Sequence, residues 1–226
     1  MDLQLQDRVV LVVGGSGLIG KAIVARLEAE GAIVVSASRR GESGIVMDAR
    51  DDSSVSEAIE GLLARHGRLD AVVVSAAPSA QTLDPARNSD PAQVLEAVDA
   101  KALAFLRVAR ASLESMTNAG YGRIVGISGQ NAFTTGNITG GVRNAALIIV
   151  GKNLADSVAG TGVTVNVVNP GTVREDPASE VEYGKGGDSR PSDVASLVAF
   201  LASPIAGAIS GESIAVGHRT RGFVSL

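Results

Sequence analysis

The chain has 226 residues, of which 45% are hydrophobic and 19% are charged, and its formal net charge is −4 at pH 7. This length and apolar content suit one compact domain with a sizeable core and exclude a disordered chain. An acidic balance without a dense basic run argues against nucleic acid or an anionic membrane as the main partner.

The absence of cysteine excludes disulfides, thiolate catalysis and cysteine-based metal sites, and the two histidines lack any ligand spacing, so we expect no metal. Residues 1–7 are polar and lead directly into an apolar run. The sequence therefore predicts neither a secretory signal nor a transmembrane helix, and a cytoplasmic location is expected.

Strand-like runs rich in Val and Ile alternate with helical patterns along the chain. The predicted strands are 9–14, 33–37, 45–47, 71–75, 123–128, 163–168 and 214–216, and the predicted helices are 17–30, 53–66, 91–118, 138–159 and 192–203. This order is typical of the α/β class and predicts a Rossmann-type doubly wound parallel sheet of about seven strands, with helices on both faces. No linker divides residues 1–226, so we expect a single dinucleotide-binding domain. Its loops 76–90 and 171–190 should cover a small-molecule substrate.

A glycine-rich turn joins the first predicted strand to the first helix. Its spacing is Gly-x-x-Gly-x-x-Gly, which allows positive φ and close approach of the backbone, and it ends at a helix start that can receive a pyrophosphate. We expect the whole turn to contact the cofactor, through Gly14, Gly15, Ser16, Gly17, Leu18, Ile19 and Gly20.

The end of the second predicted strand indicates which dinucleotide binds. The stretch Ser36 to Arg40 carries no acidic residue that could bind the ribose 2′-hydroxyl of NAD(H). Ser38 can donate to a 2′-phosphate, and Arg39 can pair with it, so NADP(H) is favoured over NAD(H). The alternative is that Arg39 and Arg40 are only solvated surface side chains.

In the order and spacing of its motifs, the chain resembles the short-chain dehydrogenase/reductase family over roughly residues 7–217. The matching segments are VVGGSGLIG around the turn, MDARD at 47–51, LDAVVVSAAP at 69–78, GRIVGISG at 122–129, VTVNVVNPGTV at 163–173 and RPSDVASLVAFLAS at 190–203. The resemblance implies cofactor contacts, which we list from adenine to nicotinamide: Asp48, Ala49, Ser75, Ala76, Ala77, Pro170, Gly171 and Val173. Leu18 replaces the middle glycine of the form usual at this chain length.

The resemblance also implies hydride transfer to a carbonyl or from an alcohol, with a Tyr as proton donor, a Lys four residues later, a Ser and an Asn. Alignment on the flanking motifs places Gly140, Asn144, Gly129 and Lys101 at these four positions. Helix 138–159 contains no Tyr, so no shift restores the motif. The pattern resembles an atypical group within the family that lacks the Ser-Tyr-Lys residues.

The candidates for remaining chemistry are Lys101, Ser128 and Asn144. Lys101 could act as a general acid or hold a ribose or carboxylate; the alternative is an ion pair with Asp99 or Glu96, or a solvated end. Ser128 could orient a substrate oxygen or bond the backbone at its strand end, and Asn144 could donate to a ribose hydroxyl.

Other polar groups near these candidates could bind a substrate: Gln130, Asn131, Thr134, Thr135, Asn137 and Thr139. Arg143 should contact a substrate or lie at an interface on a different helix face. Tyr183 could swing over the nicotinamide within its loop or remain on the surface.

Three functions stay open at this point. The first is an NADP(H)-dependent oxidoreductase with a substituted proton donor. The second is a lyase, isomerase or dehydratase that uses open space at Gly129 and Gly140, and the third is a non-catalytic NADP(H)-binding sensor or structural subunit. Small apolar residues on several faces of helices 91–118 and 138–159 also predict a homodimer or homotetramer.

Overall fold

The computed structural model describes residues 1–41, 44–77 and 83–223. Seven strands alternate with helices: β1 Val9–Val13, α1 Leu18–Ala29, β2 Ile33–Ser38, β3 Ile45–Val46, α2 Asp52–His66, β4 Ala71–Val74, α3 Pro91–Val98, α4 Ala104–Asn118, β5 Gly122–Ile127, α5 Ile138–Ser157, β6 Val163–Pro170, α6 Pro191–Leu201 and β7 Ser213–Val216. Within the described ranges, no helix has the length and apolar character that crossing a membrane requires.

The strands form one sheet in the order β3-β2-β1-β4-β5-β6-β7, and every pair is parallel. From β1, the strands β2 and β3 are added on one side of the sheet and the strands from β4 onward on the other. A crevice therefore opens beyond the carboxyl ends of β1 and β4, where the order of the strands switches side. The predicted fold class, a Rossmann-type doubly wound sheet, is confirmed.

Two hydrophobic layers cover the two faces of the sheet. Because side chains alternate along a strand, Val9, Leu11 and Val13 face one layer, whereas Val10 and Val12 face the other. The first layer contains residues of α2, α4 and α5, and the second contains residues of α1 and α6. All five residues of β1 are buried, as expected for a central parallel strand covered on both faces.

The predicted helix 91–118 is interrupted in the structure. A π-helical turn, Asp99–Leu103, separates α3 from α4 without breaking the helical path. Such turns are rare and are often found at functional sites. This one carries Lys101, whose side chain is buried.

A buried carboxylate organises the amino edge of the sheet. Asp70 accepts hydrogen bonds from Arg8 (2.9 Å), from Arg68 (2.5 and 2.7 Å) and from the backbone N–H of Val9 (2.9 Å). Burial raises the pKa of Asp70, but the hydrogen bonds from Arg68, Arg8 and Val9 together outweigh it and hold the pKa below its usual value. Tyr121 lies at this same edge between the guanidinium groups of Arg8 and Arg123, far from the carboxyl ends of the strands.

Candidate functional site

The glycine turn brings three backbone segments into close contact. Gly14 has φ of +87°, and a Cβ there would lie 2.6 Å from the backbone nitrogen of Ala76, so the chain leaving β4 passes directly over the turn. A Cβ at Gly20 would overlap the carbonyl oxygen of Gly14, so α1 can pack against the turn only without a side chain at this position. Glycine is therefore required at both positions by geometry.

The amino end of α1 is open. Its N-cap is Gly17, which has no side chain to cap the helix, and the first turn contains no acidic residue. Ser16, Gly17 and Leu18 are exposed. The positive end of the helix dipole therefore has no counter-charge from its own first turn, as is typical of an anion-binding helix start.

Ser38 and Arg39 lie beside this helix start. The N–H of Gly14 donates to the carbonyl oxygen of Ala37 (2.8 Å), which places the end of β2 next to the turn. Ser38 Oγ accepts a hydrogen bond from the N–H of Gly41 (3.1 Å), and a hydroxyl that accepts such a bond still carries a hydrogen that it can donate. The Arg39 side chain is exposed at the same edge.

The residues predicted around the adenosine surround the crevice at the ends of β3 and β4. Asp48 is half-buried, its carboxylate accepts from the N–H of Arg50 (3.0 Å), and Ala49 is buried. Ser75 Oγ donates to the carbonyl oxygen of Val13 (3.1 Å), which ties the end of β4 to β1. Ala76 and Ala77 follow it half-buried, whereas Pro78 lies outside the described residues.

The residues predicted around the nicotinamide follow β6. Pro170 ends that strand, and the N–H of Gly171 donates to the carbonyl oxygen of Val216 (3.2 Å). Val173 forms an isolated parallel bridge with Ser189, through bonds between Ser189 N–H and Thr172 O (2.9 Å) and between Arg174 N–H and Ser189 O (3.0 Å). Because these bonds use the neighbours of Val173, its own N–H and C=O point to the opposite side.

Lys101 is a buried cation hydrogen-bonded to a neutral group. Its side chain is 7% exposed, and Nζ donates to the carbonyl oxygen of Ser128 (3.1 Å). Burial, with the positive charge of Arg143 as a smaller cause, lowers the pKa of Lys101 to about 7. The predicted alternative of an ion pair is wrong, because Asp99 instead pairs with Arg50 and Arg107. Glu96, the other suggested partner, lies near Arg50 at 3.9 Å.

Ser128 and Asn144 are joined to each other. Ser128 Oγ donates to the backbone carbonyl oxygen of Asn144 (2.9 Å), so its hydroxyl bonds the backbone, which is the second of the two roles considered for it. The Asn144 side-chain nitrogen donates to Asn131 Oδ1. Among the described residues, Asn144 Oδ1 is buried and has no hydrogen-bond partner, so it adds a possible acceptor to the predicted donor, whose nitrogen carries a second N–H.

The predicted open space at Gly129 and Gly140 is not present. A Cβ at Gly129 would lie 2.9 Å from the side-chain nitrogen of Asn144. A Cβ at Gly140 would lie 2.6 Å from that of Asn131 and 2.7 Å from that of Asn137. Asparagine side chains therefore fill the volume that the two glycines leave, which removes the reason for expecting a bulkier ligand there.

Most of the other polar candidates have structural roles. Asn137 caps α5 by accepting from the N–H of Gly140 (2.8 Å), and Thr139 Oγ1 donates to the carbonyl oxygen of Asn88 (2.9 Å). Arg143 is 4% exposed, so the prediction that it points toward an interface is wrong. The sequence signal that could have revealed its burial was weak, because a charged residue within a helix is usually solvated.

The loop between β6 and α6 is joined to the segment after β7. The buried side-chain nitrogen of Gln130 donates to the carbonyl oxygens of Val216 and His218 (3.1 Å each), and Arg221 exchanges backbone hydrogen bonds with residues 184 and 185 of the loop (3.0 Å each). Tyr183 is 76% exposed and its ring lies against Gly222.

In the described ranges, no group of three or more His, Asp or Glu side chains is placed to hold a metal ion.

Comparison with known proteins identifies the family. A sequence model of the short-chain dehydrogenase/reductases, described as enoyl-(acyl carrier protein) reductase, matches residues 16–218. The chain belongs to the short-chain dehydrogenase/reductase family.

Relatives within the family cover nearly the whole chain. The 3-oxoacyl-[acyl-carrier-protein] reductase FabG of Escherichia coli (strain K12) is 29% identical, over 95% of this chain and 97% of that protein. FabG of Rickettsia bellii (strain RML369-C) is 30% identical with the same coverage. The ligand-free aldohexose dehydrogenase of Thermoplasma acidophilum superposes with a TM-score of 0.83 at 25% identity, over 100% of this chain and 99% of that one.

Proposed function

We propose that this short-chain dehydrogenase/reductase is an NADP(H)-dependent oxidoreductase that reduces a carbonyl compound, with Lys101 as the proton donor. The observation that carries the proposal is the open amino end of α1 beside the exposed Arg39. Relatives named as reductases and a dehydrogenase over nearly the full chain support redox chemistry over a lyase, an isomerase or a sensor.

The described residues fit a dinucleotide. The turn is so close to Ala76 and to α1 that side chains at Gly14 and Gly20 would clash, and residues 16–18, at the start of α1, are exposed. The pyrophosphate would lie at the start of α1, the 2′-phosphate at Ser38 and Arg39, and the carboxamide at the outward N–H and C=O of Val173. When bound, NADPH supplies a hydride to the carbonyl carbon of the substrate.

The proposed catalytic site departs from the usual residues of the family, because Gly129, Gly140 and Asn144 stand at the Ser, Tyr and Lys positions. Lys101, bonded to the carbonyl oxygen of Ser128, has a pKa of about 7 and can release a proton at neutral pH. An acid whose pKa lies near the working pH is the most effective general acid. Its Nζ would give a proton to the substrate oxygen, while the carbonyl oxygen of Ser128 holds the ammonium in place. Asn144 Oδ1 would accept a hydrogen bond from a ribose hydroxyl.

Substitution of Arg39 tests the cofactor assignment. Arg39→Ala should weaken NADPH binding by about 10- to 100-fold, since a charge-assisted phosphate contact contributes roughly 1.5–3 kcal/mol, and should leave NADH binding unchanged. Calorimetric titration of both cofactors into both proteins measures this. Arg110→Met, an exposed arginine on α4, is the matched control. Equal weakening of NADPH and NADH, or no binding of either to the native chain, would contradict the proposal.

We also propose that two copies of the chain associate through α5. Ile138, Val142 and Ile149 lie on one side of this helix, and 43–62% of each remains exposed; Leu95 of α3 is 69% exposed. A second copy would bury this apolar stripe.

Ile149→Glu should therefore shift the native oligomer toward monomer in analytical ultracentrifugation, because a carboxylate would be buried in the contact. Val46→Glu, at another exposed apolar position on β3, should leave the mass unchanged. A native chain that sediments as a monomer at high concentration would refute the association.

A further inference from the structure

One buried amide joins the end of β5 to the end of β7. Gln130, two residues after Ser128, is 4% exposed. Its side-chain nitrogen donates to the carbonyl oxygens of Val216 and His218 (3.1 Å each), and its side-chain oxygen accepts from Thr220 Oγ1 (3.3 Å). Both N–H groups and the oxygen of the amide are therefore engaged, and all three partners lie at or after the end of β7.

The covering loop, residues 171–190, is bound to the same two carbonyl oxygens. At one end of the loop, the N–H of Gly171 donates to the carbonyl oxygen of Val216 (3.2 Å). Toward its other end, the N–H of Gly187 donates to the carbonyl oxygen of His218 (2.7 Å). Because a carbonyl oxygen has two lone pairs, each of these oxygens can hold the loop and the buried amide at once.

The packing at this junction leaves no room for side chains. A Cβ at Gly171 would overlap the carbonyl oxygen of Gly187, and a Cβ at Gly187 would lie 2.6 Å from the backbone nitrogen of His218. A Cβ at Gly186 would lie 2.6 Å from Gln130 Oε1. Backbone therefore packs directly on backbone, with the amide beside it, and the loop is held by contacts within the chain.

We propose that Gln130 is a positioning residue, which holds the covering loop over the substrate pocket before a carbonyl compound binds. This inference rests on the proposed function, in which the loop covers the substrate, and adds a residue to it. Because its amide is fully engaged, Gln130 acts through the loop and not on the substrate oxygen. If the loop were open in most molecules, the apparent substrate affinity would fall in proportion to the fraction that is closed.

Limited proteolysis tests the closed loop without requiring turnover. Gln130→Met removes the three hydrogen bonds but keeps the length of the side chain. Trypsin should then cleave after Lys185 about 10-fold faster or more, because that peptide must first open, and its carbonyl oxygen accepts from the N–H of Arg221 (3.0 Å). Cleavage after Lys152 of α5 should keep its native rate, and mass spectrometry distinguishes the two bonds. Gln6→Met, at an exposed glutamine of the amino-terminal segment, is the matched control.

Steady-state kinetics tests the effect of the loop on the substrate. Oxidation of NADPH is followed with acetone, cyclohexanone and benzaldehyde. For each compound that is reduced, Gln130→Met should raise KM about 10-fold and leave kcat within about 3-fold, since a bound substrate closes the loop and only binding is weakened. Gly186→Ala, whose Cβ would displace the Gln130 amide, should give the same split, whereas Gly61→Ala should leave both constants unchanged.

The outcomes separate this inference from the proposed function. An unchanged rate of cleavage after Lys185 in Gln130→Met, equal acceleration after Lys152, or a loss confined to kcat would overturn the positioning role. Faster cleavage after Lys185 alone, in a chain whose native form oxidises NADPH with none of the three compounds, would support the closed loop and count against the reductase. Circular dichroism establishes that each variant is folded, and Gly186→Ala carries both tests if Gln130→Met is not.

Discussion

Replacement of Lys101 by Met is expected to lower the turnover number for carbonyl reduction by about 100- to 1,000-fold, within the range that general acid catalysis contributes. NADPH affinity should stay within about 3-fold, because Lys101 is proposed to face the substrate and not the cofactor. In the native chain, kcat/KM should be constant below pH 7 and fall about 10-fold per pH unit above it, as the ammonium with a pKa of about 7 in the free enzyme loses its proton. Steady-state rates of NADPH oxidation between pH 5.5 and 9.5 measure both effects.

Lys152→Met removes an exposed lysine of α5 that pairs with Asp156, and it should leave the pH profile unchanged. A native profile with no inflection near pH 7, or a Lys101→Met variant that turns over at the native rate, would exclude Lys101 as the proton donor. An intact profile in Lys152→Met together with a lost one in Lys101→Met would assign the titration to the buried lysine.

The Lys101→Met variant should also differ from the native chain in how its free energy of unfolding depends on pH. The folded-state pKa of Lys101 is lowered from 10.5 to about 7, so the unfolded chain binds more protons than the folded chain between these values. Stability therefore rises with pH across this window and is constant below it. Relative to Lys101→Met, the native chain should lose up to about 5 kcal/mol in its free energy of unfolding as the pH falls from 10.5 to 7, which urea unfolding at both pH values measures.

Replacement of Gly20 by Ala is expected to weaken NADPH binding about 100-fold and to lower the free energy of unfolding by about 2 kcal/mol. The added Cβ would overlap the carbonyl oxygen of Gly14, which is backbone and cannot rotate away, so α1 must shift from the turn. That shift would move the helix start away from the phosphates it is proposed to bind. Calorimetric titration and urea unfolding give the two quantities.

Gly61→Ala is the matched control for this substitution. Gly61 is also a glycine inside a helix, but a Cβ there would meet nothing within 4 Å. The change should raise the free energy of unfolding by up to about 1 kcal/mol, since Ala has the higher helix propensity, and should leave NADPH affinity as it is. A Gly20→Ala chain that binds NADPH as tightly as the native chain would show that the turn does not form the phosphate site.

The fold could be predicted from the sequence because its signals are local. Apolar runs bounded by glycine indicated the strands to within about two residues, and helical periodicity indicated the helices. The glycine turn could be predicted equally well, because a strand, a Gly-x-x-Gly-x-x-Gly segment and a helix occur in immediate succession. In each case the residues that determine the structure are neighbours in sequence.

The pocket could not be predicted in the same way because its contacts are long-range. Asp99 lies two residues from Lys101, yet it pairs with Arg50, which is 49 residues away in sequence. The volume at Gly129 is bounded by Asn144 of α5, and that at Gly140 by Asn131 from before the helix as well as by its near neighbour Asn137. The π-helical turn has the sequence Asp-Ala-Lys-Ala-Leu, in which nothing disfavours an ordinary α-helix.

The π-helical turn gives one helix two independent registers. Successive residues of an α-helix are rotated by about 100° about the helix axis. An additional residue in the turn therefore changes the directions of the α3 side chains relative to those of α4. α4 can therefore present Phe105 and Val108 to the core, while α3 presents Gln93, which donates to Thr139 and to the carbonyl oxygen of Arg87. A substitution within 99–103 would alter one side chain, whereas a one-residue deletion would turn α3 away from α5. The π-helical turn therefore lets α3 and α4 of this chain face different neighbours along one helical path.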